Sequence, residues 1–123
     1  MKDHVKSQSE EEFKALIVSL IHHNKAEEAL KRLSNYYHVR VPRLKVGSVK
    51  GRRKAAGCYV SKEKTIYISY QDDLRNPSVI IHEFYHHLRT LGGKHRGTEK
   101  YANRFAEEFL KAYKKVASRT LDK

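Results

Sequence analysis

Apolar residues in the first third of the chain recur with a helical period. Ser9 followed by Glu12 has the form of a capping box. The apolar positions after it are Phe13, Leu16, Ile17, Leu20 and Ile21. Asn24 and Glu27 repeat the capping signal ahead of a second apolar stripe. We therefore expect one kinked helix or two short helices that begin at Ser9, with residues 1–8 flexible.

The middle of the chain changes to a strand pattern. Apolar and basic residues interleave from Val39 to Val49, and Pro42 suits an edge strand because it cannot donate to a sheet ladder. A second strand is expected from Ala55 to Val60, and a clearer alternation covers Thr65 to Tyr70. These segments predict a small, mostly antiparallel sheet of three strands. The last strand would be either an edge onto which an extended peptide adds or an ordinary strand with one buried face.

Two further helices are expected toward the C-terminus. Asn76 and Pro77 supply an N-cap and a first-turn proline for the apolar-rich run Val79 to Leu91, which stops at Gly92-Gly93. Thr98 can cap a last helix, with residues 118–123 flexible at the end. The apolar side of that helix comprises Tyr101, Ala102, Phe105, Phe109, Leu110 and Tyr113. The pattern as a whole predicts a single α+β domain covering residues 1–123.

Length and composition narrow the class of protein. A chain of 123 residues suits one domain with a modest core. Its first residues are polar and charged rather than apolar, which argues against a secretory signal, and no apolar run is long enough to span a bilayer. The single cysteine, Cys58, excludes an internal disulfide framework and fits a reducing compartment. We expect a cytoplasmic protein with no membrane partner, and its oligomeric state stays open.

The formal charge of +12 favours an anionic partner. Seven of the 26 basic residues lie in one stretch from Arg40 to Lys54 that contains no acid. They are Arg40, Arg43, Lys45, Lys50, Arg52, Arg53 and Lys54. This stretch is either a non-specific nucleic-acid contact made through phosphates or a solvated loop that keeps the protein soluble.

The sequence His82-Glu83-Phe84-Tyr85-His86 is an HExxH motif. On a helix the two histidines project from the same face one turn apart, so both imidazoles can bind one zinc ion. Glu83 can then take a proton from the water that attacks a peptide carbonyl and pass it to the leaving amine. The motif predicts zinc-dependent peptide hydrolysis, with Zn²⁺ as cofactor and a protein or peptide as substrate.

A catalytic zinc site also needs a third protein ligand from another element. His87 follows His86 directly and points about 100° away, so it is expected to be packed or on the surface. His95 lies in the loop after the glycines and stays possible. Glu99 begins the next helix, where it can face back across the chain reversal, and is favoured. Glu107 and Glu108 are expected to be solvated helix charges.

A resemblance to known families points the same way. The HExxH motif followed by Glu99-x-x-Ala102-Asn103-x-Phe105-Ala106 resembles the ImmA/IrrE-type metallopeptidases. The small size, the early helix and the motif sequence HEFYH also resemble the minigluzincins, which are minimal gluzincin peptidases of zincin-like fold. Both resemblances imply Glu99 as third zinc ligand and a gluzincin-like peptidase, and the second allows a latent form whose own terminal segment occupies the cleft.

Two rival functions remain open at this point. A basic nucleic-acid-binding protein could hold a structural zinc ion, although such a site does not need Glu83. A SprT-like protease that acts near DNA would use a histidine as third ligand, and His95 would then replace Glu99. Residues that could stabilise an oxyanion are Tyr59, Tyr101, Tyr113 and His95.

Overall fold

The computed structural model describes residues 2–47, 55–91 and 99–121. Within these ranges the chain is α+β, with four α-helices and a three-stranded sheet. The helices are α1 (Lys2–His22), α2 (Ala26–Tyr37), α3 (Pro77–Leu91) and α4 (Glu99–Leu121). The strands are β1 (Arg43–Val46), β2 (Gly57–Val60) and β3 (Thr65–Ile68), and a short 3-10 helix, Gln71–Arg75, leads into α3.

The N-terminal third forms two helices, but the predicted capping sites are wrong. Helix α1 already begins at Lys2, so Ser9 lies inside it. Asn24 does not cap the start of α2: it has a positive φ of 65° and follows the end of α1. The Asn24 and Lys25 amides donate to the carbonyls of Ile21 and Leu20, which is the Schellman pattern of a helix C-terminus. Asparagine serves there because it tolerates the left-handed conformation.

The sheet is mixed, so the expectation of a mostly antiparallel sheet is wrong. Its strand order is β1-β3-β2, with β1 parallel and β2 antiparallel to β3. The last strand is therefore central, and it cannot be the edge that accepts a peptide. Its alternation follows from one buried face, on which Ile66 and Ile68 are fully buried.

Helix α3 starts where the sequence predicts. The Ser78 amide donates to the Asn76 side-chain oxygen at 3.0 Å, which is an N-cap bond, and Pro77 occupies the first helical position. The core lies between the helices and one face of the sheet. No helix among the described residues is long and apolar enough to cross a membrane.

Candidate metal centre

Helix α3 has one side that packs in the core and another side that carries the two histidines of the motif. Ile80, Ile81 and Phe84 are fully buried in the core. His82 and His86 lie one turn apart on another side of the helix and are partly exposed. Core packing therefore holds the helix in place while both imidazoles stay accessible to a ligand.

Glu99 is brought to the two histidines by the packing of α4 against α3. It is the first residue of α4, and its two carboxylate oxygens lie 3.0 Å from His82 Nε2 and 3.0 Å from His86 Nε2. The two Nε2 atoms are 3.3 Å apart. Three potential ligand atoms thus converge within 4.8 Å of one another, and the group could hold a metal ion. His95, the alternative third ligand, lies outside the described residues.

Asn103 orients the first histidine. It lies one turn after Glu99 on α4, and its side-chain oxygen accepts a hydrogen bond from His82 Nδ1 at 2.9 Å. This bond places the proton on Nδ1 and leaves the Nε2 lone pair directed at the group. No separate role for Asn103 was predicted from the sequence. Its four-residue spacing from Glu99, which repeats the spacing of the two histidines, was the available signal.

Burial lowers the pKa of the second histidine of the motif, His86. Desolvation lowers the pKa of His86 below its ordinary value, and the neighbouring His82 acts in the same direction, while Glu99 acts in the opposite one. Because only the neutral imidazole is a metal ligand, a lowered pKa keeps His86 ready to bind at neutral pH.

Glu83 lies on the inner side of a cleft beside the histidines. The cleft has a volume of about 360 Å³ and is lined by Ala55, Gly57, Cys58, Tyr59, Ser61, His82, Glu83, His86, Thr90 and Glu99. Glu83 is 8% exposed. Strand β2 forms one wall of the cleft, and it packs against α3. The buried Glu83 therefore lines the same cleft as the three potential metal ligands.

Gly57 is a part of this wall that the sequence analysis missed. A Cβ atom at Gly57 would lie 2.8 Å from Val79 Cγ1 and 3.1 Å from Glu83 Cγ. Only glycine lets β2 approach α3 this closely. A glycine in a strand is the signal for such a close approach, but it does not identify the neighbour.

Gly57→Ala is expected to move β2 or the Glu83 side chain. The peptide hydrolysis that the HExxH motif predicts should fall by about a hundredfold, because a displacement of 1 Å is enough for such a loss. Zinc affinity should stay unchanged. Kinetics and zinc titration of the variant test this, with Val60→Ala on the same strand as control. Full activity in Gly57→Ala would show that Glu83 does not depend on this contact.

A third histidine of α3, His87, bonds to the cleft wall and is not a member of the metal group. His87 is fully buried; its Nε2 donates to the Arg40 carbonyl at 2.7 Å, and its Nδ1 accepts from the Tyr59 hydroxyl at 2.7 Å. Burial lowers the pKa of His87 and raises that of Tyr59, so both stay neutral near pH 7. Of the two placements predicted for His87, packed or on the surface, the structure has the packed one.

The oxyanion candidates are now distinguished by position. Tyr59 lines the cleft, but its hydroxyl already donates a hydrogen bond to His87. Tyr101 is exposed, and Tyr113 packs edge-on against His22. His95 lies outside the described residues.

The predicted basic stretch is described only in part. Arg40, Arg43 and Lys45 are exposed, and the last two lie on β1. The remaining members, Lys50, Arg52, Arg53 and Lys54, lie outside the described residues.

The chain matches no protein-family model, and searches of curated proteins and of solved structures give no match. The function is therefore argued from the site alone.

Proposed function

We propose that this protein is a zinc-dependent peptidase of the gluzincin type. The observation that supports it is the convergence of His82, His86 and Glu99 beside the buried carboxylate of Glu83. A structural zinc site would need a fourth protein ligand and would not need that carboxylate. Among the described residues, the potential ligand group has three members, which is the number found in catalytic zinc sites.

The donor set fits zinc. Two imidazole nitrogens and one carboxylate oxygen are ligands that Zn²⁺ binds in catalytic sites, whereas magnesium and calcium prefer all-oxygen sets. His82 has its other nitrogen hydrogen-bonded to Asn103, the outer contact typical of a metal-binding histidine. His82, His86 and Glu99 would hold the ion.

Each residue of the site has a separate task in the proposed reaction. Bound zinc would supply a Lewis acid that polarises a carbonyl and lowers the pKa of water. Glu83 takes the proton of the attacking water and then delivers it to the leaving nitrogen of the cleaved peptide bond. Asn103 keeps His82 in one tautomer, and Gly57 leaves the space that Glu83 occupies.

An extended peptide fits the cleft through strand β2. This strand pairs with β3 on one side, and no other strand among residues 2–47, 55–91 and 99–121 pairs with its second side. Gly57, Cys58 and Tyr59 line the cleft, so a substrate that adds to β2 would pass beside Glu83. In this proposal the edge strand that serves the site is β2, because the strand Thr65 to Tyr70, for which an edge was one of two predicted placements, is central.

Purified protein is expected to bind about one zinc ion per chain and to lose it as the pH falls through the histidine range, near 6.5 and below. The lowered pKa of His86 means that protons compete for this ligand only at the acid end of that range. Metal analysis and zinc titration at several pH values check this. Protein that takes up no zinc after reconstitution would refute the site.

Unfolding has to be separated from loss of metal in that experiment. His87 is buried in its neutral form, and its folded-state pKa is lowered. Its contribution to stability is therefore present above pH 6.5 and declines as the pH falls. Circular dichroism recorded at each pH distinguishes the two effects.

A further inference from the structure

The two faces of the sheet are chemically different. Side chains alternate along a strand, so Leu44 and the residue paired with it, Ile66, lie on the face that packs on the helices. Lys45 and its pairing partner Tyr67 are one residue further along and lie on the opposite face. The metal site adjoins the first face, because Gly57, paired with Ile68, approaches Glu83.

The opposite face carries two cations beside one aromatic ring. Arg43 and Lys45 are two residues apart on β1, so they share this face, and both are exposed. Tyr67 lies beside them on β3 and is partly exposed. Arg43 is close enough that its charge acts on the Tyr67 hydroxyl. We call Arg43, Lys45 and Tyr67 the basic sheet face.

The surroundings of this face are also positive. Arg40 precedes β1 and is exposed, and the turn between β2 and β3 contains Lys62 and Lys64. Glu63 is an acid beside the face, and its carboxylate accepts a hydrogen bond from the Tyr67 hydroxyl. This bond fixes the ring and raises the pKa of Tyr67, so the ring stays neutral.

We propose that the basic sheet face binds single-stranded nucleic acid. Arg43 and Lys45 contact phosphates, and an unpaired base stacks on the Tyr67 ring. A stacking platform needs a free base face, which a single strand offers and a duplex does not. An acidic protein would pair with the cations but would leave the aromatic ring beside them without a function. This activity is independent of peptide hydrolysis, because the metal group and Glu83 adjoin the other side of the sheet.

The proposal is tested by measuring fluorescence anisotropy of a labelled single-stranded oligothymidylate with the full chain. Arg43→Ser/Lys45→Ser is expected to weaken binding by about tenfold at 50 mM salt and to reduce the salt slope by about 1.4, since each phosphate contact on a single strand contributes about 0.7. The matched control is Lys111→Ser/Lys114→Ser, which removes the same charge from exposed positions on α4. Equal affinities and salt slopes for the two double variants would overturn the proposal.

Stacking is tested at Tyr67. Tyr67→Ala should weaken binding at least about fivefold without changing the salt slope, while Tyr67→Phe keeps the ring and should bind within about twofold of wild type. Loss of binding in both variants alike would overturn the stacking role.

Competitors identify the partner. A duplex of the same length or polyglutamate should displace the oligothymidylate less well than unlabelled single strand does. Displacement by polyglutamate at equal concentration would overturn the proposal in favour of an acidic protein partner. Displacement by the duplex at equal concentration would overturn the proposal, because it would show that the face binds phosphate charge without stacking an unpaired base.

Discussion

Glu83→Gln is expected to lower the rate of peptide hydrolysis by about a hundredfold or more, while zinc remains bound. Glutamine has nearly the same shape as glutamate, so it fits the space against Gly57 in which Glu83 is buried. It cannot accept the proton of the attacking water, and general base catalysis contributes about 10² to 10⁴ in rate. The side chain is not a member of the potential metal group, so the metal should be retained.

This variant separates catalysis from metal binding and folding. The measurements are initial rates on a mixture of unstructured peptides, zinc content and thermal unfolding of the same preparation. The expected result is a protein with normal zinc content and stability and almost no activity. Retained activity would exclude Glu83 as the base and with it the proposed mechanism.

Among substitutions on α4, Glu99→Ala is expected to lower the zinc affinity most. Glu99 is one of three potential ligands, and its two carboxylate oxygens lie 3.0 Å from His82 Nε2 and 3.0 Å from His86 Nε2 respectively. The side chain is 78% exposed, so its removal leaves no cavity and should not destabilise the fold. We expect a loss greater than the roughly 10- to 100-fold that follows removal of an outer-shell contact.

A graded series makes this prediction specific. Asn103→Ala removes only the hydrogen bond to His82 Nδ1 and is expected to fall in that 10- to 100-fold range. Glu107→Ala removes another exposed glutamate from the same helix and should leave affinity unchanged. Competition titration with a zinc chelator ranks the three variants. Full affinity in Glu99→Ala would assign the third ligand elsewhere, and a loss in His95→Ala would then favour the SprT-like arrangement.

The elements that depend on nearby residues were predictable. Asn76 and Pro77 predict the start of α3, and the N-cap bond forms as expected. The helical third at the N-terminus was predicted too, although Ser9 and Asn24 were assigned the wrong positions. Both residues have side chains that suit a cap, but a capping residue type does not distinguish the start of a helix from its interior or its end.

The arrangement of the strands was not predictable from the chain. Alternation at Ile66 and Ile68 shows that one face of β3 is buried, but it does not say which strands lie beside it. Parallel pairing with β1 and the central position of β3 depend on contacts between residues about twenty apart in the sequence. The sequence therefore left open whether Thr65 to Tyr70 is an edge strand or an ordinary strand with one buried face, and the structure has the second.

The sequence by itself determined that His82 and His86 share one face with Glu83 next to them, because the 3.6-residue turn of a helix fixes the spacing of its side chains. Only the tertiary structure decided that Glu99 and Asn103 reach His82 and that Gly57 approaches Glu83. These contacts join separate elements, and their distances depend on how α4 and β2 pack on α3 through the whole core. Helical geometry is local, whereas the position of a third ligand depends on packing, which local sequence patterns do not encode.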